Sequence, residues 1–247
     1  MERRAWNRFV KARDHYREAV AELQAGLPKL RAVQQKLVDS RRPSYTVETP
    51  VLYNSALDDI RADSDIRLIL VADNPGRREQ MAENRRYLVG PSGKIAEKFF
   101  RSNPDLATDF RKNVIILNKS PIHTPRTVEL KELCRLGGPA LEQAVEQSQR
   151  RMARLLLEFH EALACENGTP VWITGYSEMK KGGVFAAYTE ELKTIYESTA
   201  LRELVFVYRH FSMNQFTIDL NRQAAPNETP AQTLARTGAA YRKKYLW

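Results

Sequence analysis

Residues 66–71 read Ile-Arg-Leu-Ile-Leu-Val and lead directly into Ala72-Asp73-Asn74-Pro75-Gly76. The first stretch is a short, almost unbroken apolar run. Such a run fits a strand buried on both faces, as in a parallel sheet covered by helices. The second stretch is turn chemistry and stops the strand. Further apolar runs recur at 114–117, 171–174 and 204–208. Between them lie stretches with helical spacing at 91–101, 139–165 and 188–198, and a last one at 230–245. Strands alternating with helices predict an α/β fold: a three-layer α/β/α arrangement around a four-stranded parallel central sheet.

Upstream, Trp6, Phe9, Val10, Tyr16, Val20 and Leu23 recur at three- and four-residue steps. They predict one long helix, punctuated by Gly26 and Pro28, with a second helix over 28–38. Residues 1–64 therefore read as an N-terminal helical extension and linker, and residues 65–247 as the α/β/α domain.

The chain has 247 residues, 43% of them hydrophobic and 28% charged, which is a globular balance. No apolar run approaches the ~20 residues of a membrane span, so no membrane association is expected. Met1 runs into Glu2, Arg3 and Arg4 without an apolar stretch, so no secretory signal is expected. The two cysteines, Cys134 and Cys165, are too few for a four-thiolate cluster or a disulfide framework. They suggest a reducing, cytoplasmic setting. His123 and His160 have no ligand spacing with a partner, so neither a metal nor another cofactor is expected. The net charge of +9 suits a polyanionic partner, and equally suits simple solubility.

Ligands of open parallel sheets bind beyond the carboxyl ends of the strands. That rule selects 72–76, 118–125, 175–183 and 209–216. Together with Tyr87-Leu88-Val89-Gly90-Pro91-Ser92-Gly93-Lys94 ahead of the next helix, these segments would bring Asn74, Asn118, an aromatic and His210 toward one cleft. An aromatic stacks on a flat heterocycle, and a side-chain amide reads its edge. A histidine steadies negative charge developing on a ring oxygen, and a polar group orients water. Gly90-Pro91-Ser92-Gly93-Lys94 is not a P-loop: the glycines are too close together, and Ile95 stands where Ser or Thr would hold magnesium.

This constellation resembles the uracil-DNA glycosylase superfamily. Asp73-Asn74-Pro75-Gly76 is similar to that family's Asn-Pro-Gly loop, and Tyr87–Gly93 to the Pro-Phe-Val-Gly-x-x-Gly stretch of its iron–sulfur branch. Asn118 matches the base-reading Asn, and His210-Phe211-Ser212 the late His-Pro-Ser motif. The blocks keep family order from about Ile66 to Phe216. Ala72 replaces the usual Gly, Phe211 replaces Pro, and the cluster cysteines are missing, so the resemblance implies a divergent member without the iron–sulfur cluster.

What the resemblance implies is a DNA glycosylase that flips a uracil-like base from single- or double-stranded DNA and cleaves its N-glycosidic bond. Asn74 would orient water, His210 would donate to the departing base, and Asp73 is the nearest substitute base. Tyr87 would stack on the base and Asn118 read its edge. Ser92 at a helix N-terminus and Ser212 would meet phosphate. Arg77, Arg78, Arg85, Arg86, Lys180 and Lys181 would track the backbone. Met213 or Phe216 would wedge into the space left by the flipped nucleotide. Each also has an ordinary reading: an Asn-Pro turn, a solvated or capping Asp, a packing Tyr, a strand-end Asn, a structural His, loop packing at Met213, a solvated basic face. Two other functions stay open: a non-catalytic nucleic-acid-binding protein on the same fold, and an enzyme acting on free nucleosides or nucleotides.

Overall fold

A computed structural model describes residues 1–247, apart from the side chains of 165–167. The chain opens with helices α1 (Arg3–Gly26) and α2 (Leu30–Asp39). Strand β1 (Leu68–Ala72), helix α3 (Pro91–Ser102) and strand β2 (Val114–Asn118) follow. Next come α4 (Glu129–Gly137), α5 (Pro139–Asn167), β3 (Val171–Thr174), α6 (Ala186–Tyr196), β4 (Val205–Tyr208), α7 (Gln215–Gln223) and α8 (Pro230–Tyr245). The four strands form one all-parallel sheet in the order β2-β1-β3-β4. This is the three-layer α/β/α fold expected from the alternating runs.

The expected elements appear with ends shifted by a few residues. β1 starts at Leu68 rather than 66, because the backbone N–H groups of Arg67 and Leu68 both donate to the Asn113 carbonyl before the ladder begins. Helices α4 and α7 are not apparent from the sequence pattern. Each has nine residues and buries few apolar side chains, Leu130 and Leu133 in one and Phe216 and Leu220 in the other. That is too little periodicity to stand out.

Register decides which side chains share a face. Ala72 pairs with Asn118, Val71 with Ile173 and Thr174 with Tyr208. Alternation then sets Leu70, Ile116, Trp172 and Phe206 on one face and Val71, Leu117, Ile173 and Val207 on the other. The first face is roofed by aromatic rings: Phe100 of α3 and Phe216 of α7 stack on Trp172 at 5.7 and 5.9 Å. Phe211, which stands where the resemblance would have proline, is fully buried and stacked on Phe216 at 4.2 Å. α5 and α6 pack together as the opposite layer.

α1 is not a loose appendage. It packs along α5, with the Phe9 and Phe159 rings 5.6 Å apart. The buried Tyr16 hydroxyl lies 2.6 Å from that of Tyr87. Among the described residues, no helix is long and apolar enough to cross a membrane.

α8 covers β4 through a small-residue contact. A Cβ at Gly238 would land on the Tyr208 ring and hydroxyl and crowd Phe206, while the Tyr208 hydroxyl donates to the Leu234 carbonyl at 3.0 Å. Gly238→Ala should therefore destabilise the protein by about 1–3 kcal/mol despite its better helix propensity. Urea unfolding checks this; an unchanged or raised midpoint would contradict the packing.

Candidate active site at the strand ends

Because Ala72 and Asn118 pair, the next residues of β1 and β2, Asp73 and Lys119, leave the sheet as neighbours. Lys119 Nζ donates to Asp73 Oδ1 at 2.5 Å and to the carbonyl of Thr174, the last residue of β3, at 2.5 Å. The Thr127 hydroxyl donates to Asp73 Oδ2 at 3.3 Å. The ammonium also lies 4.9 Å from the centre of the Phe185 ring. Lys119 is fully buried and Asp73 is 8% exposed. Burial pushes the Lys119 pKa down, and the Asp73 carboxylate pulls against that. Gly175 faces the pair with a positive φ of 82°, and a Cβ there would lie 2.5 Å from Asp73 Oδ1. Both the backbone and the close approach require glycine.

His210 follows β4 and is half-buried. Its Nδ1 accepts the Ser212 backbone N–H at 3.0 Å. An accepting ring nitrogen carries no proton, so the neutral imidazole holds its proton on Nε2. Burial lowers the pKa of this ring; nearby Asp73 works to raise it and Lys119 to lower it. The ring is therefore neutral at neutral pH and offers a single N–H. The charges of both Asp73 and Lys119 thus act on this ring.

Asn118 ends β2 at 3% exposure, and its Nδ2 has no hydrogen-bond partner. A buried unpaired amide costs on the order of 1–3 kcal/mol, so it marks a position where a partner is missing. Alternation puts Asn118 on the same face as Tyr208, the residue two before His210.

Asn74 is more constrained than the sequence suggests. Its Nδ2 donates to the Ile122 carbonyl at 3.1 Å and to the Thr124 hydroxyl at 2.8 Å, so both amide protons clamp the loop after β2. Only its side-chain oxygen is left to orient water. The buried His123 braces the same loop, with Nδ1 2.8 Å from the Pro75 carbonyl and Nε2 2.9 Å from the Tyr45 hydroxyl. Glu79 accepts the Gly76 N–H at 3.1 Å and also bonds the Leu88 backbone, joining the loop after β1 to the entry of α3.

Tyr87 does not hold the place expected of a stacking ring. It is 1% exposed, its hydroxyl donates to the Leu52 carbonyl at 2.7 Å, and it meets Tyr16 of α1. It anchors the N-terminal helix, and no open ring face is left for a base.

The basic residues divide. Arg77 is exposed, with its guanidinium 4.7 Å from the Tyr45 ring centre, and Arg78 is exposed beside it. Arg86 is paired with Asp59 at 2.7 Å, and Arg85 and Arg86 line a groove of about 590 Å³ beside α1. Lys180 and Lys181 are exposed after β3. Ser92 sits half-buried in the first turn of α3, whose N-cap Gly90 makes no side-chain cap bond. Ser212 is exposed, and its backbone N–H donates to His210 Nδ1. Met213 is 82% exposed and left-handed at φ 52°.

Lys119, Thr127, Gly175 and Glu79 were not singled out by the sequence. The available signal was a lysine placed directly after a buried strand, where an exposed side chain is unusual. Among the described residues, no group of three or more His, Cys, Asp or Glu gathers to hold a metal. The chain matches no protein-family profile and no curated protein sequence.

Two outcomes follow from these contacts. Lys119→Met should destabilise the fold by about 3–5 kcal/mol, because it strands a buried carboxylate; a loss under about 1 kcal/mol in urea unfolding would contradict the pair's structural weight. Glu79 concerns pH. Burial pushes its carboxyl from 4.5 up to about 7. Between those values the unfolded chain has released the proton and the folded chain keeps it, so stability falls as pH rises through the window. Glu79→Gln should flatten that fall, measured as unfolding midpoints on either side of the window; an unchanged slope would contradict it.

Proposed function

We propose that this chain is a divergent member of the uracil-DNA glycosylase superfamily that flips a uracil-like base from DNA and hydrolyses its N-glycosidic bond. The observation that carries the reading is the state of His210. A neutral ring with its proton fixed on Nε2 by the Ser212 N–H is an oriented donor for an oxygen that gains charge. As the bond to C1′ breaks, the base departs with the bonding electrons, and its carbonyl oxygen collects negative charge. A donor preorganised for that oxygen is worth roughly 10²–10³ in rate.

The other residues support the same chemistry. The unpaired Asn118 amide is a donor for a second carbonyl on the ring edge. The charge of the Asp73 carboxylate acts on His210, and negative charge there would favour an oxocarbenium-like sugar. The ties of Asp73 to Lys119 and Thr127 suit it to electrostatic stabilisation better than to proton abstraction. Water oriented at the Asn74 oxygen adds to C1′, and its proton passes to solvent or to the departed base. Met213, exposed in a left-handed turn three residues after His210, suits the wedge that fills the vacated stack. Read residue by residue against Pro-Phe-Val-Gly, the pattern's aromatic falls at Leu88 rather than Tyr87, so this loop contributes no stacking ring.

One observation favours a non-catalytic nucleic-acid-binding protein instead: both oxygens of Asp73 are already engaged. An abasic-site assay on uracil-containing single- and double-stranded oligonucleotides separates the two. The glycosylase reading predicts base release that falls about 10²–10³-fold in His210→Ala, with a further loss in Asn118→Ala. No release above background across several altered bases would overturn it.

A further inference from the structure

α8 ends against the loop after β3, and tyrosines and cations meet there. Tyr176, just beyond β3, stacks on Tyr245 at 4.2 Å with the rings 15° apart. Lys180 from the same loop lies 5.7 Å from the Tyr245 ring centre, and Lys244 lies 5.5 Å from it. Arg209, the residue before His210, lies 5.7 Å from the Tyr176 ring centre. Three separate segments of chain thus bring cations to one pair of rings.

An aromatic face fixes the position of a cation without neutralising it. The contrast within this molecule is direct. On the face shared by α5 and α6, carboxylates cancel the arginines: Arg150 meets Glu190 at 2.9 Å and Arg154 meets Glu191 at 2.6 Å. At the tyrosine pair, among the described residues, no carboxylate comes within ion-pair distance of Lys180 or Lys244, and Arg209 shares only Asp219, at 3.4 Å. The carbonyl end of α8 favours a cation at Lys244. It does not account for Lys180 and Arg209, which arrive from the ends of β3 and β4.

We propose that Tyr176, Tyr245, Lys180, Lys244 and Arg209 form a shelf for the sugar–phosphate backbone of a nucleic-acid strand. The inference rests on the DNA reading above and deepens it by naming where the strand next to the flipped nucleotide runs. Arg209 adjoins His210 in the chain, so a strand whose nucleotide is held at His210 passes its neighbouring phosphates over Arg209 and on toward α8. The contacts reach phosphate alone, so the shelf binds without regard to sequence.

The test is fluorescence anisotropy of a fluorescein-labelled single-stranded oligonucleotide containing uracil, titrated at several salt concentrations. The proteins are wild type, the shelf variant Lys180→Ala/Lys244→Ala, and a control, Lys11→Ala/Lys36→Ala, altered on the exposed faces of α1 and α2. Thermal melting confirms that all three fold. The shelf variant should lose about two from the magnitude of the log–log salt slope, and the control should lose none. Equal slopes in the two variants would overturn the shelf and leave the glycosylase reading standing. A wild-type affinity that ignores salt would overturn both. A slope lost only in the shelf variant, with no base released in the abasic-site assay, would keep the shelf and reject catalysis.

Discussion

One buried ammonium organises the carboxyl edge of the sheet. Lys119 leaves β2, reaches the Asp73 carboxylate beyond β1 and caps the last carbonyl of β3. Taking two charges out of water costs several kcal/mol per ion, so such a pair persists only where its geometry is good and the remaining donors are occupied. Here Thr127 takes the other carboxylate oxygen, the Phe185 ring lies against the ammonium, and Gly175 removes the Cβ that would collide with Asp73. The loops after three strands are thereby fixed to one another. Asn74, His123 and Glu79 extend the bracing outward, each spending its polar groups on a neighbouring loop.

On that floor the remaining groups are left with unspent chemistry. His210 has an oriented N–H and no formal charge, and Asn118 has a buried amide without a partner. A fold does not ordinarily leave buried donors unpaired. One such donor, the Asn118 amide, stands at the end of a parallel sheet, where ligands of this architecture bind, and the oriented N–H of the half-buried His210 follows β4. The positive charge is distributed to match. It is cancelled on the α5–α6 face and left open where α8 meets the loop after β3.

What the sequence disclosed and what it concealed follow the range of the interactions involved. The strands were legible because burial on both faces writes itself into consecutive residues, as in Leu68–Ala72. The placement of Asn118 and His210 at strand ends was legible because that rule needs only the position of the strand. Lys119 was not, since a lysine in isolation reads as surface; its burial depends on an aspartate 46 positions earlier standing in register on the next strand. Tyr87 misled for the same reason. Its partner Tyr16 lies 71 positions away in a helix with no counterpart in the resemblance. Asn74 follows β1 as expected, but its amide protons are committed to residues about 50 positions further on.

The most direct test of a base pocket at the strand ends is an NMR titration of isotope-labelled protein with free uracil, following the Asn118 side-chain amide and the His210 Nε2–H. The account predicts saturable shifts at both, which disappear together in a variant lacking either group. Shifts confined to the cavity of about 300 Å³ between Asn54, Ile60 and Arg111, with Asn118 and His210 unmoved, would contradict it.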